Sequence, residues 1–212
     1  MKIALFGASG TIGKAVLEEA LRRDHQVIAV MRDPDRPLSK EGHEGMIKVT
    51  GDILMPDSIA AAVEGCDVAI SAYGPRFGAE SELVEATRSL IEGVQKGGVR
   101  RLIAVGGAGG LEVGKGLRLL DTPEFPDEIR PLARAHEDAL QVYRDSESVW
   151  TVLSPAAVIE PGSRTGQFRI GISQLVKDEL DQSRISVEDF AVAMLDEVED
   201  PQFYQARFTV GY

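Results

Sequence analysis

The sequence has a single cysteine among its 212 residues, Cys66, so no internal disulfide can staple the fold. It also lacks an apolar run approaching the roughly 20 residues of a membrane span. Met1 is followed within one residue by the strand-like Ile3-Ala4-Leu5-Phe6, which leaves no room for a basic, then apolar, cleavable leader. A reducing cytoplasm is the compartment these absences point to. Positive charge is scarce too: 23 Lys and Arg stand against 34 Asp and Glu, a net charge of −11. Phosphate neutralisation needs clustered cations, so nucleic acid is a poor partner and any anionic ligand must be held by a few placed donors. No fixed-period repeat, low-complexity tract or Gly/Ser linker divides the chain, and no metal site is expected.

Hydrophobic residues at 43% and charged residues at 27% suit an ordinary globular protein, with enough apolar side chains to cover both faces of a parallel sheet. The length fits one open α/β domain over 1–212, with the part from about residue 155 onward contributing the substrate side. Short apolar runs alternate with helical periodicity. Strands are predicted at Lys2 to Phe6, Gln26 to Met31, Met46 to Thr50, Val68 to Ser71, Arg101 to Val105 and Trp150 to Leu153. Helices are predicted at Thr11 to Arg23, Ser58 to Glu64, near Glu80 to Gln95 and around Leu132 to Arg144. The last quarter reads as a short strand at Gln167 to Ile170, a helix from Val187 to Val198 and a strand at Arg207 to Val210, expected to cap the carboxyl edge of the sheet. This βαβ alternation with right-handed crossovers predicts a Rossmann-type, doubly wound, mostly parallel sheet.

Gly7-Ala8-Ser9-Gly10-Thr11-Ile12-Gly13 follows the first strand and opens the first helix, the context in which a glycine fingerprint signals a dinucleotide. Gly7 permits the tight turn, Gly10 lets backbone amides approach a pyrophosphate, and Gly13 lets the helix pack close to the strand. Ser9, Thr11 and Ile12 belong to the same phosphate-facing turn, where the helix terminus offers unpaired N–H groups and its dipole.

The second strand ends Val30-Met31-Arg32-Asp33, at the edge that distinguishes a ribose 2′-hydroxyl from a 2′-phosphate. Arg32 and Arg36 favour the phosphate, and hence NADP, whereas Asp33, 20 residues after Gly13, keeps NAD open. Asp52 reads equally as an acceptor for the adenine amino group, with Ile53 packed on the ring, or as part of the turn before Pro56. Ala72-Tyr73-Gly74 and Gly106-Gly107 end central strands, where ligands of doubly wound sheets bind, and their small residues leave room for nicotinamide.

With these residues go Trp150-Thr151-Val152-Leu153-Ser154-Pro155-Ala156, Pro161-Gly162-Ser163-Arg164-Thr165-Gly166, Ile185-Ser186-Val187-Glu188-Asp189 and the ending Arg207-Phe208-Thr209-Val210-Gly211-Tyr212. Over nearly its whole length the chain resembles the atypical short-chain dehydrogenase/reductases, within them the NmrA-like group that contains NADH-flavin reductases. More distantly it is similar to the biliverdin-IXβ/flavin reductases, which share an arginine pair at the strand edge. The resemblance implies a reduced nicotinamide cofactor passing hydride to a flavin or similar flat acceptor. It also strengthens NADP and implies that Pro155 and Ala156 flank the nicotinamide.

The usual dehydrogenase dyad, a Tyr with a Lys four residues on, is absent: Phe77 stands at that spacing from Tyr73 and Glu147 from Tyr143. The serine that biliverdin-reductase relatives carry after strand five is replaced by Gly106 or Gly107. Alcohol or ketone chemistry is therefore disfavoured, while flavin reduction needs mainly stacking and distance. Tyr73 and His136 are the weak catalytic candidates; a lone helical histidine reads more often as a surface or satisfied residue. Arg164 is a candidate for holding an anionic or carbonyl substrate group, with a loop ion pair as the equal alternative. Cys66, Trp150, Phe190 and Met194 read as core. An NAD(P)H-dependent reductase acting on a small-molecule acceptor is the leading expectation. A non-catalytic NADP(H)-sensing module is the alternative, and an epimerase or dehydratase is suggested only by the shared cofactor fold.

Overall fold

The computed structural model describes all 212 residues. In chain order the elements are β1 (Lys2–Phe6), α1 (Thr11–Arg22), β2 (Gln26–Met31), β3 (Met46–Thr50), α2 (Pro56–Val63), β4 (Val68–Ser71), α3 (Glu82–Lys96) and β5 (Arg101–Val105). There follow β6 (Glu112–Gly114), β7 (Leu117–Arg118), α4 (Arg130–Arg144), β8 (Val149–Ser154), β9 (Val158–Glu160), β10 (Arg169–Gly171), β11 (Arg184–Ser186), α5 (Val187–Glu199) and β12 (Ala206–Gly211). Eight strands form the central sheet in the order β3-β2-β1-β4-β5-β8-β12-β10. All neighbours are parallel except β10, which runs antiparallel to β12. This is the Rossmann-type α/β architecture, its strand order reversing at the β1/β4 boundary, where open sheets of this kind bind ligands.

Strands β1, β4 and β8 are buried on both faces because their side chains are apolar without alternation, as a sheet covered on both sides requires. One face packs on α1 and α5 through Val16, Leu17, Phe190, Met194 and Phe208. The other packs on α2, α3 and α4 through Ile59, Leu90, Leu140 and Trp150. Trp150, Phe190, Met194 and Cys66 are buried, as the sequence predicts. Helix α2 begins at Pro56, two residues before the predicted start, because proline at the first helical position forfeits only an amide that has no partner there anyway.

The carboxyl quarter departs from expectation. Instead of capping the sheet, β12 continues it in parallel beside β8, pairing Ala206 with Thr151 and Thr209 with Ser154, and β10 closes the edge. The reason lies in Phe208, Thr209 and Val210, which are buried in succession, so both faces of β12 are covered. Helix α5, whose N-cap Ser186 accepts from the Asp189 amide at 3.0 Å, lies over one face against α1. Two short pairs stand off the main sheet, the parallel β9–β11 and the antiparallel β6–β7. No helix is long and apolar enough to cross a membrane.

Candidate functional site: a dinucleotide cleft at the carboxyl ends of the central strands

The cleft begins where β1 stops. Gly7 adopts φ +84°, and a Cβ there would meet the Ala72 carbonyl carbon at 2.6 Å, so only glycine allows this turn to pass under the end of β4. The Gly10 amide donates to the Gly7 carbonyl at 2.9 Å, closing the loop. Helix α1 then starts with Gly10 as its N-cap and no side chain capping it, so the amides of its first turn have no partner within the protein. A Cβ on Gly13 would stand 2.7 Å from the Gly7 carbonyl carbon. The fingerprint thus brings an uncapped, positively polarised helix end against the sheet.

Above this turn lies a cleft of about 600 Å³. Gly7, Ser9, Gly10, Arg32, Arg36, Ile53, Ala72, Tyr73 and Gly74, each singled out from sequence, line it together. Its size matches that of small-molecule and cofactor sites. Arg76, Met31 and Glu82 also line it and were missed by sequence reasoning. Arg76 sits on an irregular loop where no periodicity or spacing signals a ligand contact. Arg32, Arg36 and Arg76 are exposed, and none pairs with a carboxylate, in a chain that otherwise has acid to spare. Asp33 shares the cleft, but its Oδ1 accepts from the Asp35 amide at 3.1 Å and so supports the turn.

Other expected residues sit elsewhere. Thr11 is exposed on a separate groove with Lys14 and Glu18, and Ile12 packs against the core beneath α1. Asp52 accepts from the Leu54 amide at 3.0 Å through Oδ1, while its own amide donates to Ser58 Oγ; the turn before α2 is therefore what occupies it. Pro155 and Ala156 are buried at the end of β8, and Ala156 belongs to the core, so their side chains do not line the cleft. Gly106 lies against Val152 and Ser154, and Gly107 against His136.

Arg164 requires a correction. It is not a substrate arm: its Nε and an Nη each donate at 2.7 Å to the two carboxylate oxygens of Glu19 on α1, in the groove away from the dinucleotide cleft. Arg23 donates to the same carboxylate at 2.8 Å. Burial alone would push the Glu19 carboxyl up, but the two guanidinium groups outweigh it and hold it below its ordinary value. The arginine ties the 161–168 segment to α1.

The two weak catalytic candidates differ in state. Tyr73 is half-buried and donates its hydroxyl to Glu82 Oε1 at 3.0 Å; burial first, then the Glu82 charge, pushes the phenol up to about 12. At neutral pH its proton is committed to that carboxylate. His136 stands on the inner face of α4 behind Gly107, and burial pushes its imidazole down to about 4, so it is neutral. Neither pairs with a lysine.

An uncapped helix end, glycines that no Cβ can replace and three unpaired guanidinium groups fit a nicotinamide dinucleotide. A family model described as NAD(P)H-binding matches residues 7–200. The chain belongs to the NAD(P)H-binding family. Uncharacterized protein YwnB of Bacillus subtilis is 38% identical over 214 residues, covering 99% of this chain and 98% of YwnB. A solved candidate epimerase from Bacteroides thetaiotaomicron is 40% identical with a TM-score of 0.92, covering 100% of this chain and 96% of that one. A candidate NADH-flavin reductase from Streptococcus pneumoniae is 32% identical with a TM-score of 0.85, covering 100% and 99%. As the sequence leads one to expect, this NAD(P)H-binding chain shares the Rossmann-type fold found in short-chain dehydrogenase/reductases.

Proposed function

We propose that this chain is an NADPH-dependent reductase of a flat aromatic acceptor, a flavin being the type case. The observation that carries the reading is the pairing of a cation-lined dinucleotide cleft with a floor that holds no acid–base dyad. Tyr73 spends its proton on Glu82, and glycines occupy the end of β5. An alcohol or ketone substrate needs a positioned proton donor. A conjugated ring needs to lie face to face with the cofactor, which positioning supplies.

Arg32, Arg36 and Arg76 would hold the 2′-phosphate end, and the amides of Gly10 and the first turn of α1 the pyrophosphate. Ile53 would pack on the adenine, and Ala72 and Gly74 would leave the space for nicotinamide and acceptor. When bound, the reduced cofactor supplies a hydride, two electrons with one proton; the acceptor gains it and takes its second proton from water. A small-molecule acceptor also suits the net charge of −11 better than a nucleic acid does.

The test is oxidation of NADPH, and separately of NADH, by the purified chain with FMN, FAD and riboflavin. Turnover above the protein-free rate, faster with NADPH, is the expected result. No turnover with any of these acceptors overturns the reading.

A further inference from the structure

His136 is hard to account for as a packing residue. It lies on the face of α4 that turns toward the sheet, and a Cβ on Gly107 would meet its Cβ at 2.9 Å and its Cδ2 at 3.1 Å. The glycine after β5 therefore makes the space the imidazole occupies. The ring shares a cavity of about 20 Å³ with Ser71, Tyr73, Gly106, Tyr143 and Val152, and Tyr73 is also a wall of the dinucleotide cleft. The titratable groups on that cavity are Tyr73, already bonded to Glu82, and Tyr143; no carboxylate, lysine or arginine lines it. Glu137, next along the helix, turns away to Arg207.

No protein atom hydrogen-bonds either ring nitrogen, yet part of the side chain stays open. An apolar side chain would fill the same space, whereas neither nitrogen of His136 is a fully buried atom, so the ring keeps a polar edge open for a partner that the protein itself does not supply. Since desolvation keeps the ring uncharged, it is no acid at neutral pH. A neutral imidazole still presents one N–H, and a neutral N–H is enough to polarise a carbonyl.

We propose that His136 donates a hydrogen bond from its neutral ring to the carbonyl oxygen of the acceptor, the atom on which negative charge builds during reduction. The proposal rests on the reductase reading and narrows its substrate class to flat conjugated rings bearing a carbonyl, isoalloxazines or quinones. Electron balance is unchanged by it. A C–H bond of the dihydronicotinamide breaks, an N–H or O–H bond forms on the acceptor, water delivers the second proton, and His136 keeps its own.

The experiment compares the full chain with His136→Phe and His136→Gln, using riboflavin and menadione as acceptors. Loss of the donor in His136→Phe is expected to lower kcat by about 10- to 100-fold, with the KM for NADPH within about threefold, while His136→Gln restores most of the rate. Nitrogen NMR of the ring supplies a readout without turnover: His136 is neutral at about pH 6, and its N–H resonance shifts when riboflavin is added to protein held with NADP+. A Phe variant as fast as the parent overturns the proposal. Equal losses in Phe and Gln, an unmoved resonance, or a kcat inflection near the ordinary histidine pKa that His136→Gln abolishes also overturn it. If the Phe variant does not fold, His136→Gln and the NMR decide. A parent chain with no acceptor turnover removes the reductase reading and this proposal together; an active parent with an indifferent His136 removes this proposal alone.

Discussion

Gly13 packs so closely on Gly7 that a single added methyl on the helix would stand 2.7 Å from the carbonyl carbon of the turn. The listening surface for a pyrophosphate, the uncapped start of α1, exists only while that approach is kept. Gly13→Ala is therefore expected to push α1 away from β1, weakening NADPH binding at least about tenfold and costing about 1–3 kcal/mol of stability. Dye-free calorimetric titration with NADPH and thermal unfolding measure the two effects. Unchanged affinity would show that the close approach has no part in holding the dinucleotide.

The three guanidinium groups that line the cleft without carboxylate partners lead to a selective prediction. Arg32→Ala is expected to weaken NADPH binding by about 10- to 100-fold, the loss of one charge-assisted contact, and NADH binding by less than about threefold. Arg76→Ala is expected to act in the same direction. Equilibrium binding to both cofactors checks this. Equal losses for NADPH and NADH would place these arginines on the shared part of the dinucleotide.

Tyr73 is the residue most readily mistaken for a catalytic acid. Its phenol is pushed up to about 12 and its proton points at Glu82, so it neither ionises nor gives up that proton near neutrality. Tyr73→Phe is expected to change kcat by less than about threefold and to add no inflection between about pH 6 and 9. A loss of about 100-fold or more would make Tyr73 the proton donor that the reductase reading does without.

The legible part of this protein was the part carried by short-range pattern. The runs of β1, β2, β3, β4 and β5 match the structure to the residue: β1, β2, β4 and β5 are covered on both faces and carry unbroken apolar stretches, while the half-exposed edge strand β3 is legible from its apolar and β-branched residues alone. Gly7, Gly10 and Gly13 could be read because each glycine answers a local backbone demand. Long-range relations left no such mark. Arg164 meets Glu19 across 145 residues, and nothing in either neighbourhood announces the partner. β9 and β11 are three-residue strands that exist only through each other, with Ile159 opposite Ile185. β12 was legible as a strand but not as a central one, since its place beside β8 depends on what covers its second face.

Asp189 is fully buried and holds the 161–168 segment and the end of the chain at once. Its carboxylate accepts from the Thr165 and Gly166 amides at 2.7 Å each, from Thr165 Oγ1 at 2.6 Å and from the Tyr212 hydroxyl at 2.8 Å. Burial pushes the group up, but these donors outweigh it and hold the carboxyl below its ordinary value. A carboxylate with a depressed folded pKa contributes stability that is complete above its unfolded value and is lost as pH falls through the folded one. Asp189→Asn keeps the shape but turns a donor toward donors, so it is expected to cost about 2–4 kcal/mol at neutral pH, with proteolysis beginning in the 161–168 segment. Because the parent loses the same contribution on acidification, the gap in denaturation midpoint between parent and variant should narrow below about pH 4. A gap that stays constant from neutral pH into that range would mean that the charge of Asp189 is not what anchors the segment.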